Sequence, residues 1–519
     1  MAMKFLKDII PREYQEKIFE TCSKKNCLVV LPTGIGKTLI ALMLTIKRME
    51  EYPREKVVIL APTKPLAEQH LEYFKKHLPE LFADIQLFTG SINSEKRKKI
   101  WQTADIIFST PQCVGNDLRK NLYDLKNVSL LIEDEAHRCV KNYDYNYVAK
   151  KYQEQAINQR IIGLTASPGS DTSKIKEICK NLGVEAVELR SRESEDVKKY
   201  LQDLEFEKII LDFPKELEEI RHILKKIFES YVEELRYRKV LFGPATKTSL
   251  IELQKKISKT ISRVGSHNFN YLLGASACAQ AIKIQHALEL LETQSIESFN
   301  KYLKALLKQA SNKQSKGVVK LVQKPEFNFI FTSSNELLAK NFEHPKTIIL
   351  KKLIEKEKQN NSNVKIIVFS QYRDTGTMLS KKLNEIKGIK SKVFVGQKKI
   401  AESGLTQKEQ KKIIQEFSIG EINVLCATSI GEEGLDIPEV NTVIFYEPVP
   451  SAIRAIQRAG RTARLMKGKL IILITKGTRD ETSYYVSRAR EKKMHKAIDI
   501  IKNDLSKIKS IEKEKQQTL

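Results

Sequence analysis

Short aliphatic runs separated by helix-length amphipathic segments recur twice along this chain, and few folds accommodate that rhythm. From Cys27 to about Ile178 the runs are CLVVL, KVVILAP, IQLF, DIIFST, SLLIED and RIIGLTASP. Between them Thr38–Glu51, Pro65–His77 and Ser94–Gln102 carry helical periodicity. A run of four to six apolar residues without polar alternation is buried on both faces. Such strands need helices above and below, so the pattern predicts a parallel sheet in an α/β domain. The rhythm resumes near Val364 with KIIVFSQ, SKVFVG, INVLCATS, NTVIFYEP and GKLIILIT, with Arg373–Ile386 and Gln407–Phe417 as intervening helices. Two copies of one architecture are expected.

Between them, from Pro214 to Lys324, helical periodicity replaces the strand runs, notably in Glu216–Arg238, Ser249–Val264 and Ala279–Thr293. This span holds 20 Lys/Arg against 10 Asp/Glu, which marks an inserted, basic, mostly helical module. The expected division is a first α/β domain over 1–205, the insertion over 206–335, a second α/β domain over 336–490 and a basic helical tail over 491–519. The tail is expected to fray, because a charge-dense terminus buries little surface.

The whole chain has 90 Lys/Arg against 64 Asp/Glu, a net charge of +26. That excess favours a polyanionic partner, since cations that neutralise phosphates release counterions. The longest apolar runs, such as Leu28–Leu31 and Leu470–Ile474, are too short to span a bilayer. Met1–Pro11 has no secretory pattern, so a cytoplasmic, nucleoid-associated protein with no membrane contact is expected. The seven cysteines form no CxxC pair, which points to neither a disulfide framework nor a zinc site.

Three motifs carry chemistry. Leu31, Pro32, Thr33, Gly34, Ile35, Gly36, Lys37 and Thr38 form LPTGIGKT between a strand and a helix. Such a loop aims backbone N–H groups at phosphate oxygens, with the helix N-terminus adding partial positive charge. Lys37 is expected to reach the β- and γ-phosphates of ATP, and Thr38 to ligate Mg²⁺. Asp134, Glu135, Ala136 and His137 close an apolar strand: Asp134 is expected at Mg²⁺, Glu135 as the base for the attacking water, and His137 as a coupling residue. Glu133 stands where an apolar strand residue is expected. Far downstream lies QRAGRTAR, with Gln457, Arg461 and Arg464; the two arginines are expected to reach across to the γ-phosphate.

Together these motifs resemble those of superfamily-2 DNA/RNA helicases, whose two RecA-like domains clasp ATP, and more closely the archaeal Hef and eukaryotic FANCM branch. The branch likeness rests on GLTASPG, IKIQHALELLETQ, HPK, FVGQ and GLTQKEQK. The resemblance implies that Arg12 and Gln15 read adenine and that Gly434 and Asp436 lie near ATP. It implies nucleic-acid contacts from Pro62, Thr63, Lys64 and Gln69, from Thr110, Pro111 and Gln112, and from Gln371 and Thr428. Thr165 and Ser167 of LTASPG would couple hydrolysis to movement. The resemblance implies ATP-dependent, 3′-to-5′ movement on forked or four-way DNA, with RNA the second choice. A separate nuclease or a sliding clamp would suit such an enzyme as partner. No ERK-x-x-x-D nuclease signature occurs, so a helicase-only relative or a shortened form is expected. A non-catalytic clamp is opposed by intact Lys37, Asp134, Glu135 and Arg461.

Overall fold

A computed structural model of the chain describes residues 4–264, 269–396, 404–428, 437–462 and 467–517. Its first sheet contains β1 (Cys27–Val30), β2 (Lys56–Leu60), β3 (Ile85–Phe88), β4 (Ile106–Ser109), β5 (Val128–Asp134), β6 (Ile161–Thr165) and β7 (Ala186–Leu189). They pair in the order β3-β4-β2-β5-β6-β1-β7, all in parallel. Alternate residues serve opposite cores: Leu28 and Val30 join one, Cys27, Val29 and Leu31 the other. Both faces are therefore covered, as the unbroken apolar runs require.

The second sheet contains β8 (Leu204–Leu211), β9 (Ile366–Phe369), β10 (Ser391–Phe394), β11 (Val424–Ala427), β12 (Thr442–Phe445) and β13 (Gly468–Thr475), ordered β10-β11-β9-β12-β13-β8. Its pairings are parallel too. Between the sheets, helices including Lys215–Tyr237, Lys247–Val264, Phe269–Thr293 and Ile296–Ser311 enclose a core of their own, with Leu224, Ile284, Leu288, Phe299 and Phe327 buried. The α/β architecture with a helical insertion stands as expected.

The expected boundaries do not. The 205/206 division cuts β8, which pairs with β13 along its whole length and so belongs to the second sheet. The 335/336 division falls inside the helix Pro325–Ala339, and 490/491 inside the helix Arg479–Gln517. As far as Leu505, that last helix also corrects the expectation of a frayed tail. Met494, Ala497, Ile498 and Ile501 are buried in the first domain's core beside Ile175, Ile178, Cys179 and Val187. Charge density along the tail hid a sparse apolar stripe with helical spacing.

The insertion is locked to the second domain through buried polar groups. Lys346 forms an ion pair with Asp480, both side chains at most 1% exposed, and donates to the Thr293 carbonyl at 3.1 Å. Gln294 accepts from Thr375 at 2.8 Å, and Arg221 donates to the Gly477 carbonyl.

Ile498→Asp should lower the melting temperature sharply, since it places an unpaired charge in the first core at a cost of several kcal/mol. Lys496→Asp, at an exposed position of the same helix, should change it little. Equal melting temperatures for the two variants would show that the tail contributes nothing to that core.

Candidate nucleotide and nucleic-acid site

The loop after β1 turns through two left-handed glycines, Gly34 at φ 80° and Gly36 at φ 86°, a region glycine enters without steric cost. The helix Lys37–Glu51 then begins with no side-chain cap, so its first N–H groups face the loop. Tyr14 donates its hydroxyl to the Ile35 carbonyl at 2.6 Å, and the Gln15 amide approaches the Ile35 and Gly36 carbonyls at 3.4 Å. A side chain at Gly36 would strike Gln15. Gln15 thus braces the phosphate loop, while Arg12 lies over the Tyr200 ring at 5.1 Å. Lys37 reaches back to the Leu31 carbonyl at 3.0 Å. The Thr33 hydroxyl oxygen is buried without a hydrogen-bond partner.

Thr38 and Asp134, the two residues expected at a metal, are bridged by His70. Its Nδ1 lies 3.5 Å from Thr38 Oγ1 and its Nε2 2.8 Å from Asp134 Oδ2. Burial alone would raise the Asp134 carboxyl, but the His70 contact and the nearby Lys37 ammonium hold it below the ordinary aspartate value. No role had been read for His70 itself. Its signal was position: with Leu66, Ala67, Leu71 and Phe74 it lies on the buried stripe of the helix Lys64–His77.

Glu135 follows at φ 53°, a strained conformation for a side-chain-bearing residue of the kind that clusters at functional sites. His137 Nδ1 lies 3.2 Å from both Glu135 Oε2 and Thr165 Oγ1. Thr165 Oγ1 exchanges hydrogen bonds with the Ser167 backbone at 3.1 Å, and Ser167 Oγ donates to Met494 Sδ at 2.8 Å. The expected coupling residues therefore form one connected chain ending on the C-terminal helix.

Glu133 faces away from this chain, because successive strand residues alternate sides. It is fully buried and both oxygens lack a hydrogen-bond partner; the adjacent Cys139 thiol donates to Asn146 instead. Burial pushes its pKa well above the ordinary carboxylate value.

The residues expected at nucleic acid share a structural address. Pro62, Thr63 and Lys64 follow β2, Thr110, Pro111 and Gln112 follow β4, Gln371 follows β9 and Thr428 follows β11. Each group sits beyond the carboxyl end of its strand, where open α/β sheets bind ligands, and within each sheet the two strands concerned are neighbours. Gln69 is on the helix after Thr63. Next to it, Glu68 meets Lys411 of the second domain at 2.9 Å across the cleft.

From the second domain, the helix Ala452–Ala459 carries Gln457, fully buried, and Arg458, which stacks on Phe369 and Phe445 at 4.9 and 5.6 Å. Gly460 abuts Thr33 so closely that a side chain there would collide with it. Arg461 follows directly and is 8% exposed. Gly434, Asp436 and Arg464 lie outside the described residues, as does Gln397 of FVGQ.

A profile of DEAD/DEAH box helicases matches residues 12–178, one of the helicase conserved C-terminal domain matches 345–466, and one of an RNA-helicase helical bundle matches 216–334. The crystal structure of the Pyrococcus furiosus Hef helicase domain shares the fold with a TM-score of 0.68 and 42% identity, over 92% of this chain and 98% of that one. A Methanocaldococcus jannaschii protein whose description names an RNA helicase is 39% identical over 95% of this chain and 61% of its own length. The mouse Fanconi anemia group M protein homolog is 31% identical over 94% of this chain and 26% of its own. Fold and motifs together define a superfamily-2 helicase with two RecA-like domains. Within that class the chain belongs to the Hef/FANCM family. It spans less than two thirds of the length of the curated relatives it matches.

Lys37→Ala should lower ATP turnover about 100-fold or more, the usual loss for one transition-state charge contact, while DNA affinity persists. A variant retaining half the wild-type rate would remove Lys37 from the phosphate site. Glu133→Leu should raise stability near neutral pH by about 1–3 kcal/mol, since it removes an unpartnered buried acid. A raised folded pKa means that the acid's contribution is favourable below the unfolded value of 4.5 and is lost as pH rises. The gain from Glu133→Leu, read by thermal melts, should therefore shrink as pH falls toward 4.5. A pH-independent difference would show that Glu133 does not titrate in that way.

Proposed function

We propose that this chain is an ATP-driven DNA helicase or translocase that acts on branched DNA, forks and four-way junctions, with 3′-to-5′ movement. The observation that carries the reading is the partition of the first sheet. The ends of β1, β5 and β6 hold the ATP motifs, and the ends of β2 and β4 hold the nucleic-acid motifs. On this reading one sheet carries both sites along the carboxyl ends of its strands, and the chain from Glu135 through His137 and Thr165 to Ser167 leads from the ATP motifs to the C-terminal helix. Relatives described as ATP-dependent DNA helicases, such as that of Pyricularia oryzae, support DNA as the substrate.

The residues present fit ATP and Mg²⁺. The orphaned Thr33 hydroxyl and the uncapped helix start suit phosphate oxygens, and Thr38 with Asp134 offers an oxygen pair for the metal. Mg²⁺, when bound, offsets the negative charge of the phosphates. Lys37 leaves the Leu31 carbonyl to contact the phosphates. Glu135 orients the attacking water and takes its proton, and His137 holds Glu135 while sensing Thr165. Arg461 and Arg464 approach from the second domain to stabilise transition-state charge. The basic insertion adds phosphate contacts beyond the two sheets.

A second reading, action on RNA, is favoured by the helical-bundle profile and by the Methanocaldococcus jannaschii description. ATPase rates measured with a fork, a four-way junction, single-stranded DNA, plain duplex DNA and duplex RNA separate the two. The DNA reading expects the strongest stimulation from branched DNA. Strongest stimulation by duplex RNA would overturn it, and no stimulation by any of them would remove the motor itself.

A further inference from the structure

The helical insertion ends in an exposed aromatic and cationic tip. From Arg221, which donates to the Gly477 carbonyl of the second domain, the helix Lys215–Tyr237 runs on for roughly 24 Å at about 1.5 Å per residue. Tyr237, at its far end, is 87% exposed, and Phe269, opening the helix Phe269–Thr293, is 76% exposed. The two are neighbours, because Arg238 and Asn270 exchange hydrogen bonds at 3.2 Å. Leu272 and Leu273 are also exposed on this end. Single exposed rings are ordinary, but two rings with two leucines on one protruding end form a patch.

The surroundings say what the patch fits. Arg236, Lys239 and Arg263 are exposed around it, and the helix Lys247–Val264 runs toward the same end; its Ile257 sits against Gly274 and its Leu250 carbonyl against Cys278. The nearby acids are Glu233 and Glu234, and Glu234 pairs with Arg238 at 3.0 Å. Rings flanked by cations are the composition that holds single-stranded nucleic acid, with bases stacked on the π faces and phosphates held by the charges.

We propose that this tip binds unpaired nucleotides at the branch point of DNA, with Tyr237 and Phe269 as the stacking platform and Arg236, Lys239 and Arg263 on the flanking phosphates. The inference rests on the branched-DNA reading and adds to it the group that recognises the branch. Stacking needs a free base face, so the tip discriminates a splayed junction from a closed duplex. It needs no sequence readout, because every base has such a face.

The test is a fork carrying 2-aminopurine at an unpaired branch position, titrated with wild-type protein and with the double variant Tyr237→Ala/Phe269→Ala. Stacking quenches this base in the wild type; the variant should lose the quench and about tenfold in affinity for that fork. Its affinity for plain duplex, its melting temperature and its ATPase on single-stranded DNA should stay as in the wild type. The ring-retaining variant Tyr237→Phe should keep both signals. Equal quench and affinity in wild type and double variant would overturn the proposal and leave the patch to a protein partner. An equal loss on fork and plain duplex would also overturn it, as a general anchor behaves that way. Fluorescence requires no hydrolysis, so absence of fork-stimulated ATPase in the wild type would defeat the motor reading without deciding this one.

Discussion

The burial of Met494, Ala497, Ile498 and Ile501 in the first domain's core is the contact on which the arrangement of the whole molecule depends. Each large apolar side chain removed from water contributes about 1.5–3 kcal/mol. That is enough to hold a helix whose surface is otherwise dominated by charge. The chain leaves the first domain at β7, supplies β8 to the second sheet, builds the insertion, completes the second domain and returns to the first. The two α/β domains are consequently joined at two places, and Ser167, hydrogen-bonded to Thr165, touches the returning helix through Met494.

Buried charge fixes the other joint. Lys346 and Asp480 are both out of water, and breaking such a pair by removing one partner typically costs about 3–5 kcal/mol. Because Lys346 also holds the Thr293 carbonyl, the insertion travels with the second domain. The moving parts reduce to two bodies: the first domain, and the second domain with its arm. Their cleft is lined where it matters by groups that tolerate close approach, with Gly460 against Thr33 and the Lys411–Glu68 pair at the rim.

Much of this was legible in the sequence wherever one physical cause acted alone. Runs such as KVVILAP and GKLIILIT are buried on both faces and became β2 and β13, and the phosphate loop stands between strand and helix as its glycines require. What escaped had mixed causes. The segment LEFEKIIL alternates charged and apolar residues and became the edge strand β8, a pattern that composition alone reads as a surface linker. The tail's apolar stripe was masked by its lysines. His70 was hidden inside a motif read for nucleic acid, although its place among the buried residues of its helix set it apart. Gln15, for which the resemblance implies adenine contact, also turns its amide to the loop carbonyls. Glu133 was anomalous in the sequence and remains so in the fold, an acid without a partner.

The pairing of β8 with β13 has a consequence for how the chain is made. On the order of 250 residues separate the two strands, and a ribosome adding roughly 5–20 residues per second needs some ten to fifty seconds to cover them. Through that interval β8 exists as a nascent strand with no hydrogen-bonding neighbour. Glu205, Glu207 and Lys208 suit it to the wait, since charges on an unpaired edge discourage joining with another chain. The same acids later receive Lys469 of β13, at 3.4 Å for Glu205 and 3.1 Å for Glu207. Charges that keep the strand solitary during synthesis thus become the complement of its eventual partner.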